Sequence, residues 1–241
     1  MWLIAEYQPV TLFSFRSGLA TSSGAKTLFL PTPFAIRTAL LDAAIRTKGL
    51  AAGPVSFAWI KELSIAVRPP ERVVVTNLFA KILKPTRKEE AEEAMDRTIA
   101  FREYAQLHGT VALAFKSAEE WSNELAALLI QINYLGKRGS FFQLVRAPWR
   151  AEDLPEGFVS MDGIYVQGTQ VAGQVPKHFL TGVVQMVDDW GESLTFAKVS
   201  IYTDEKIKMG KDRIRRGIVL PYRLVKSSKG FSYYERIERA P

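Results

Sequence analysis

Thr32-Pro33-Phe34-Ala35-Ile36-Arg37-Thr38-Ala39-Leu40-Leu41-Asp42-Ala43-Ala44 decides the fold class of this chain. Thr32 offers a side-chain oxygen to the first turn of a helix, and Pro33 suits the first helical position, whose N–H would have no intrahelical partner. Behind them Phe34, Ile36, Ala39, Leu40, Ala43 and Ala44 share one helical face, and Gly49 supplies the stop. Before the helix, residues 1 to 16 are rich in Tyr, Val and Phe and predict a first strand or bent strand pair. A loop of small residues, Ser17 to Lys26, joins the two; it holds Gly18, Thr21, Ser22, Ser23 and Gly24.

Downstream, Phe57 to Val67 and Val73 to Leu83 are strand candidates on either side of Arg68-Pro69-Pro70-Glu71-Arg72, which predicts a hairpin with a stiff proline turn. Lys84 to Arg97 opens with Lys84, Arg87 and Lys88 and continues with Glu89, Glu90, Glu92 and Glu93, the pattern of an exposed loop or short helix. Phe101-Arg102-Glu103-Tyr104 leads to a strand from Gly109 to Phe115. A second helix is expected from Ser117 to Ile132, because Ser117 and Glu120 have capping-box spacing and Leu125, Leu128, Leu129 and Ile132 recur helically. Phe141 to Arg146 is strand-like.

This order predicts an α+β chain. Its N-terminal domain, residues 1–147, fits a ferredoxin-like βαββαβ unit with an extra hairpin, a scaffold shared with RRM-like RNA-binding sheets. After Pro148, short β segments at Phe158 to Met161, Leu180 to Val187, Leu194 to Ile201, Gly217 to Val225 and Phe231 to Ile237 predict a mostly antiparallel region, residues 148–241, packed on the first.

Of the 241 residues 47% are hydrophobic and 24% charged, the balance of an ordinary globular protein, and against disorder or coiled coil. There is no cysteine and there are two histidines, His108 and His178, so neither a disulfide framework nor a thiolate or histidine-rich metal site is expected, and no cofactor is implied. Met1-Trp2-Leu3-Ile4-Ala5-Glu6 has no basic start and carries a carboxylate, and no apolar run approaches the roughly 18 residues of a membrane span. A cytoplasmic protein without membrane contact is the expectation.

The net charge of +7 favours polyanion partners. Residues 206 to 229 hold Lys206, Lys208, Lys211, Arg213, Arg215, Arg216, Arg223, Lys226 and Lys229 against Asp212 alone, so this stretch outweighs the surplus of the whole chain. A second basic point is Leu135-Gly136-Lys137-Arg138-Gly139-Ser140. Its glycines can let backbone amides approach a phosphate, or can simply end a helix; both readings fit. It is not a nucleotide-hydrolysing P-loop.

Acid–base candidates are sparse. His108 follows Tyr104 on one segment with Lys116 beyond, a possible site for RNA cleavage against the plainer role of a strand-entry histidine. Asp188-Asp189 stands beside Trp190-Gly191, where an Asp pair commonly serves a turn. No pattern of carboxylates for a two-metal nuclease is visible.

Four segments together, Phe13-Ser14-Phe15-Arg16, Leu30-Pro31-Thr32-Pro33 with Ala39-Leu40-Leu41, Phe101-Arg102-Glu103-Tyr104, and Tyr134-Leu135-Gly136-Lys137-Arg138-Gly139-Ser140-Phe141-Phe142, resemble the Cas five family. That family belongs to the repeat-associated (RAMP) superfamily of ferredoxin-like RNA binders. The resemblance covers about residues 1 to 145 and fades beyond.

The resemblance implies a subunit of a class 1, Cascade-like CRISPR effector complex in antiviral defence, capping the hooked 5′ handle of the guide RNA. It further implies contacts with the first backbone subunit of the Cas seven family and with the large subunit. A β-hairpin thumb would insert between guide nucleotides, its candidate here being Phe57 to Leu83 or the segment after it. One branch of the family cuts guide precursor with a tyrosine and an adjacent lysine and histidine. The adjacent pair here, Lys177-His178, lies elsewhere in the chain, so a non-catalytic binder is expected.

Arg16, Lys26, Arg37, Arg102, Tyr104, Lys137 and Arg138 lie at loop or element ends suited to phosphate and base contacts. Arg37 can equally be a solvated helix residue, and Tyr104 an edge aromatic of the core. The basic patch Lys206, Lys208, Lys211, Arg213, Arg215 and Arg216 suits guide RNA or target DNA. Two alternatives remain: a metal-independent endoribonuclease of the same superfamily, and a basic structural subunit that meets a protein partner.

Overall fold

A computed structural model describes residues 1–18, 20, 24–86, 94–167, 170–172 and 181–237. Strand β1 (Trp2–Pro9) is followed by β2 (Phe15–Arg16), β3 (Gly24–Ala25) and β4 (Thr27–Leu28). Helix α1 (Pro33–Lys48) then starts where its capping residues predict: Thr32 Oγ1 accepts the Ala35 N–H at 3.2 Å, and Gly49 ends the helix at φ 86°. Losing such a cap costs about 1 kcal/mol. Its buried face is Ile36, Arg37, Leu40, Leu41, Ala43 and Ala44, the i, i+3, i+4 spacing of a helix packed on a sheet.

Helix α2 (Gly53–Lys61) and strand β5 (Ser64–Arg68) come next, then two long strands, β6 (Arg72–Pro85) and β7 (Met95–His108), and β8 (Val111–Lys116). A 3₁₀ turn, Glu119–Trp121, leads into α3 (Ser122–Ile130). β9 (Phe142–Leu144), β10 (Trp149–Ala151) and β11 (Val159–Ser160) follow. The C-terminal part contributes β12 (Ile164–Gln167), β13 (Gln170–Ala172), β14 (Val183–Trp190), the short helix α4 (Phe196–Val199), β15 (Arg213–Leu220), β16 (Tyr222–Ser227) and β17 (Phe231–Arg236).

The result is a mixed α+β molecule dominated by sheet. In the first sheet β8 lies between β1 and β5, antiparallel to both, and β9 and β10 pair with the other edge of β1. Alternation along these strands sends Leu3, Ala5, Tyr7, Ile65, Val67, Leu113 and Phe115 into the main core with the helices. Ile4, Ala66, Ala112 and Ala114 face the other way, beneath Trp149, Leu154 and Phe158. The C-terminal strands join sheets begun earlier in the chain: β11 pairs with β5, and β17 with the base of β6.

Several sequence expectations need correction. Phe57 to Lys61 is helical, because Gly53-Pro54 starts a helix whose spacing buries Phe57 and Ile60; the strand begins only at Ser64. β6 pairs with β7, not with β5. Pro69 and Pro70 redirect the chain between sheets, their carbonyls taken by Arg236 and the Tyr222 hydroxyl. The long hairpin is therefore Arg72–His108: it takes in Phe101 to Tyr104 as well as residues 84–85 and 95–97 of the expected loop, while 87–93, with Arg87, Lys88 and the four glutamates, lies outside the described residues.

The Ser117–Glu120 capping box does not form: α3 begins regularly at Ser122 with no side-chain cap. Leu194 to Ile201 contains α4 instead of a strand, and Pro221 divides the expected Gly217–Val225 strand into β15 and β16.

Candidate nucleic-acid interface

At the end of the first sheet where β1 leaves Pro9, a groove of about 400 Å³ opens. Ser14, just before β2, and Phe15 and Arg16 within it line the groove, with Ala25 from β3, Thr32 and Ala35 from the start of α1, and Arg102 and Tyr104 from β7. Gly136 and Lys137 come from the turn after α3, Asp188 from β14 and Arg213 from β15. Four residues named from the sequence, Arg16, Arg102, Tyr104 and Lys137, thus meet in one place, joined by Arg213 of the basic stretch.

Local chemistry sets each one. Gly136 sits at φ 76°, a left-handed conformation that glycine adopts without strain, and this turns the chain so that Lys137 faces the groove. The turn is closed by Ser140 N–H donating to Lys137 O at 3.1 Å, and braced by Thr11, which donates to Gly139 O at 2.8 Å and accepts from Phe141 N–H at 3.0 Å. Arg138, next in the turn, is exposed but outside the groove lining. The N-terminal end of the 16-residue α1 adds the positive pole of its dipole. Lys26 flanks the groove beside Ala25, its ammonium 2.5 Å from Glu103, whose second oxygen accepts the Thr27 N–H.

Arg37 is not available to a ligand. It is 5% exposed, pairs with Asp189 at 2.9 Å, and donates to the carbonyls of Ile60 and Leu63 at 2.6 and 2.9 Å. A buried cation persists only when its donors are satisfied, and Arg37 here ties α1 to the end of α2 and to β14. Asp188 and Asp189 likewise do not serve a turn. They are buried at the end of β14, Asp188 paired with Arg213 and Asp189 with both Arg37 and Arg216. No local signal could reveal this, since the partners lie 25 to 152 residues away.

The basic stretch is thereby divided. Arg213 spreads over the Phe34 ring, 4.3 Å from its centroid, at the groove. Arg216 is held by Asp189 and the Asp162 carbonyl, Arg215 donates to Gly18 O, and Arg223 pairs with Glu235. Burial raises the Asp162 carboxyl above its ordinary pKa, against the pull of Arg216. Lys206, Lys208 and Lys211 stay exposed on a loop folded around Asp212. Hydrogen bonds from the Lys198 ammonium and the Lys208 N–H hold that carboxyl below its usual range.

Tyr104 and His108, four residues apart on β7, are separated by about 13 Å along the strand, beyond hydrogen-bond reach of one another. Lys177 and His178 lie outside the described residues. Among the described residues no group of His, Asp and Glu side chains is arranged to hold a metal ion, and no helix is long and apolar enough to cross a membrane.

The hairpin arm is the other exposed feature. Its base, Arg72 to Thr76, is covered by β17. Further out, Phe79 faces Phe101 at 5.2 Å, edge to face, both more than half exposed, and Leu83, Met95 and Ile99 share that face with Lys81 and Arg97.

No family model matches the chain. Over 104 residues, 43% of the chain, it is 33% identical to a curated relative, the CRISPR-associated protein Cas5 of Archaeoglobus fulgidus. The match spans less than half, 46%, of that relative's length. The resemblance to the Cas five family is borne out over that span. Among solved structures, a chain of a CRISPR RNA-guided surveillance complex aligns with 91% of this chain and 90% of its own at TM-score 0.48 and 16% identity. A CRISPR protein crystal structure from Archaeoglobus fulgidus aligns with 98% of this chain and 92% of its own at TM-score 0.43 and 13% identity.

Proposed function

We propose that this chain is a Cas five type subunit of a CRISPR effector complex, and that it holds the 5′ handle of the guide RNA in the groove between β2, α1, β7 and the Gly136–Lys137 turn. The observation that carries the proposal is the convergence of Arg16, Arg102, Lys137 and Arg213 with Tyr104 on one groove. Cations from separate segments suit successive phosphates of a bent strand, and aromatic faces suit unstacked bases.

The strand order supports it: β9 or β10, β1, β8, β5 corresponds to fourth, first, third, second, the arrangement of a ferredoxin-like unit with the β6–β7 arm inserted before its third strand. The exposed Phe79 and Phe101, with Lys81 and Arg97 beside them, suit insertion of that arm between guide nucleotides. In this reading the chain contacts a backbone subunit and the large subunit, belongs to the cytoplasmic ribonucleoprotein, and leaves precursor cutting to another enzyme. The wide separation of Tyr104 and His108 favours the binder over the nuclease.

Fluorescent repeat RNA, titrated with the protein at rising salt and also incubated without metal, tests this. Binding that weakens steeply with salt, and uncut RNA, are expected. No binding at low salt by the protein or its assembled complex, or cuts that vanish in His108→Ala, would overturn it.

A further inference from the structure

A second concave surface lies at the opposite end of the first sheet, beside the Lys116 end of β8, which pairs with Trp2. It measures about 690 Å³ and is lined by Pro54, Val55, Ala58, Trp59 and Leu63 from α2 and its C-terminal side, and by Ala118 and Trp121 before α3. Trp59 and Trp121 stack at 5.5 Å and 9°, Val55 is 60% exposed, and the buried Trp59 indole N–H has no acceptor.

Ser117, Glu62 and Glu120 complete the lining, and neither glutamate forms an ion pair among the described residues. Glu62 stands at the C-terminal cap of α2, where the helix dipole already makes the potential negative. The neighbouring Lys61 turns away from it, its ammonium donating to the carbonyls of Glu192 and Leu194. Glu120, freed from the capping box that its spacing suggested, makes no capping bond.

On a protein of net charge +7, an apolar groove ringed by two uncompensated carboxylates repels RNA and attracts a cation attached to an apolar body. We propose that this groove docks a segment of a protein partner in which an arginine or lysine stands beside an aliphatic side chain. The aliphatic group covers Val55, Ala58 and Leu63, and the cation lies between Glu62 and Glu120 against the partly exposed face of Trp121. The guide would then be held at one end of the sheet and a protein at the other.

The probe is a short peptide of alternating leucine and arginine, added to the full chain while the Trp59 indole N–H resonance, assigned through Trp59→Phe, is followed by NMR. Saturable movement of that resonance is expected, with affinity reduced at least about tenfold in Glu62→Lys/Glu120→Lys. The isosteric Glu62→Gln/Glu120→Gln should lose less, in the same direction. Melting temperature and repeat-RNA affinity should stay unchanged in both variants. No saturable binding, equal affinity in the lysine variant, equal binding of a leucine–glutamate peptide, or movement of the same resonance by repeat RNA would each overturn the proposal.

Discussion

The groove and the stretch from residue 206 to 229 are both basic, yet they owe their charge to different levels of structure. In the stretch, cations are neighbours in sequence but disperse on folding: Arg213 and Arg216 turn to the buried Asp188 and Asp189, Arg223 to Glu235, and the lysines of residues 206–211 remain on an outer loop. In the groove, Arg16, Arg102, Lys137 and Arg213 are scattered over almost the whole chain and meet only because folding brings β2, the middle of β7, the turn after α3 and the start of β15 side by side. Charge density along a chain is a poor guide to charge density in space. What converts one into the other here is the ionic cluster of Arg37, Asp188, Asp189, Arg213 and Arg216.

Removing that cluster's buried cation should have the largest effect. Arg37→Met leaves Asp189 with Arg216 alone and deprives three carbonyls of their donor, which should cost about 3–5 kcal/mol of stability. Denaturant unfolding measures it; an unchanged midpoint would mean that the cluster does not hold the groove together.

A smaller effect separates the two basic regions directly. Arg16→Ala/Lys137→Ala should weaken repeat-RNA binding by about 1–3 kcal/mol and lower the salt slope by about 2, with no change in melting temperature. Lys206→Ala/Lys208→Ala/Lys211→Ala should cost less at the same salt. The reverse ranking would move the interface to the outer loop.

The smallest effect concerns the loop's own order. The Asp212 carboxyl is held below its ordinary value, so its stabilising effect is present above the unfolded carboxylate pKa of about 3.9 and fades as pH falls through the lower folded value. Hydrogen exchange should therefore show residues 206–212 loosening below about pH 4, a response that Asp212→Asn abolishes. Identical acid profiles in the two proteins would contradict it.

Much of this was legible before folding because it is local. Thr32-Pro33 and Gly49 bound α1, and Gly136 with Lys137 marks the turn that reaches the groove. Arg16 ends β2 and Lys137 stands in a turn, as expected, whereas Arg102 and Tyr104 lie inside β7 and reach the groove from the middle of a strand.

Helix α2 was hidden by an apolar run from Phe57 to Val67, whose strand-like composition masks the Gly53-Pro54 start, although Phe57 and Ile60 keep helical spacing. Arg37 betrays itself only by position, on the same helical face as Leu40, Leu41 and Ala44. The roles of Asp188 and Asp189 depend on partners far along the chain and leave no mark in their neighbourhood.

RNA held in the groove and RNA held along the basic stretch would touch different residues. Photocrosslinking repeat RNA that carries 4-thiouridine, followed by mass spectrometry of the adducts, reads this out residue by residue. Crosslinks are expected on Tyr104 and on the peptide around Gly136 and Lys137. Crosslinks confined to residues 200–229, with none at the groove, would contradict binding in the groove.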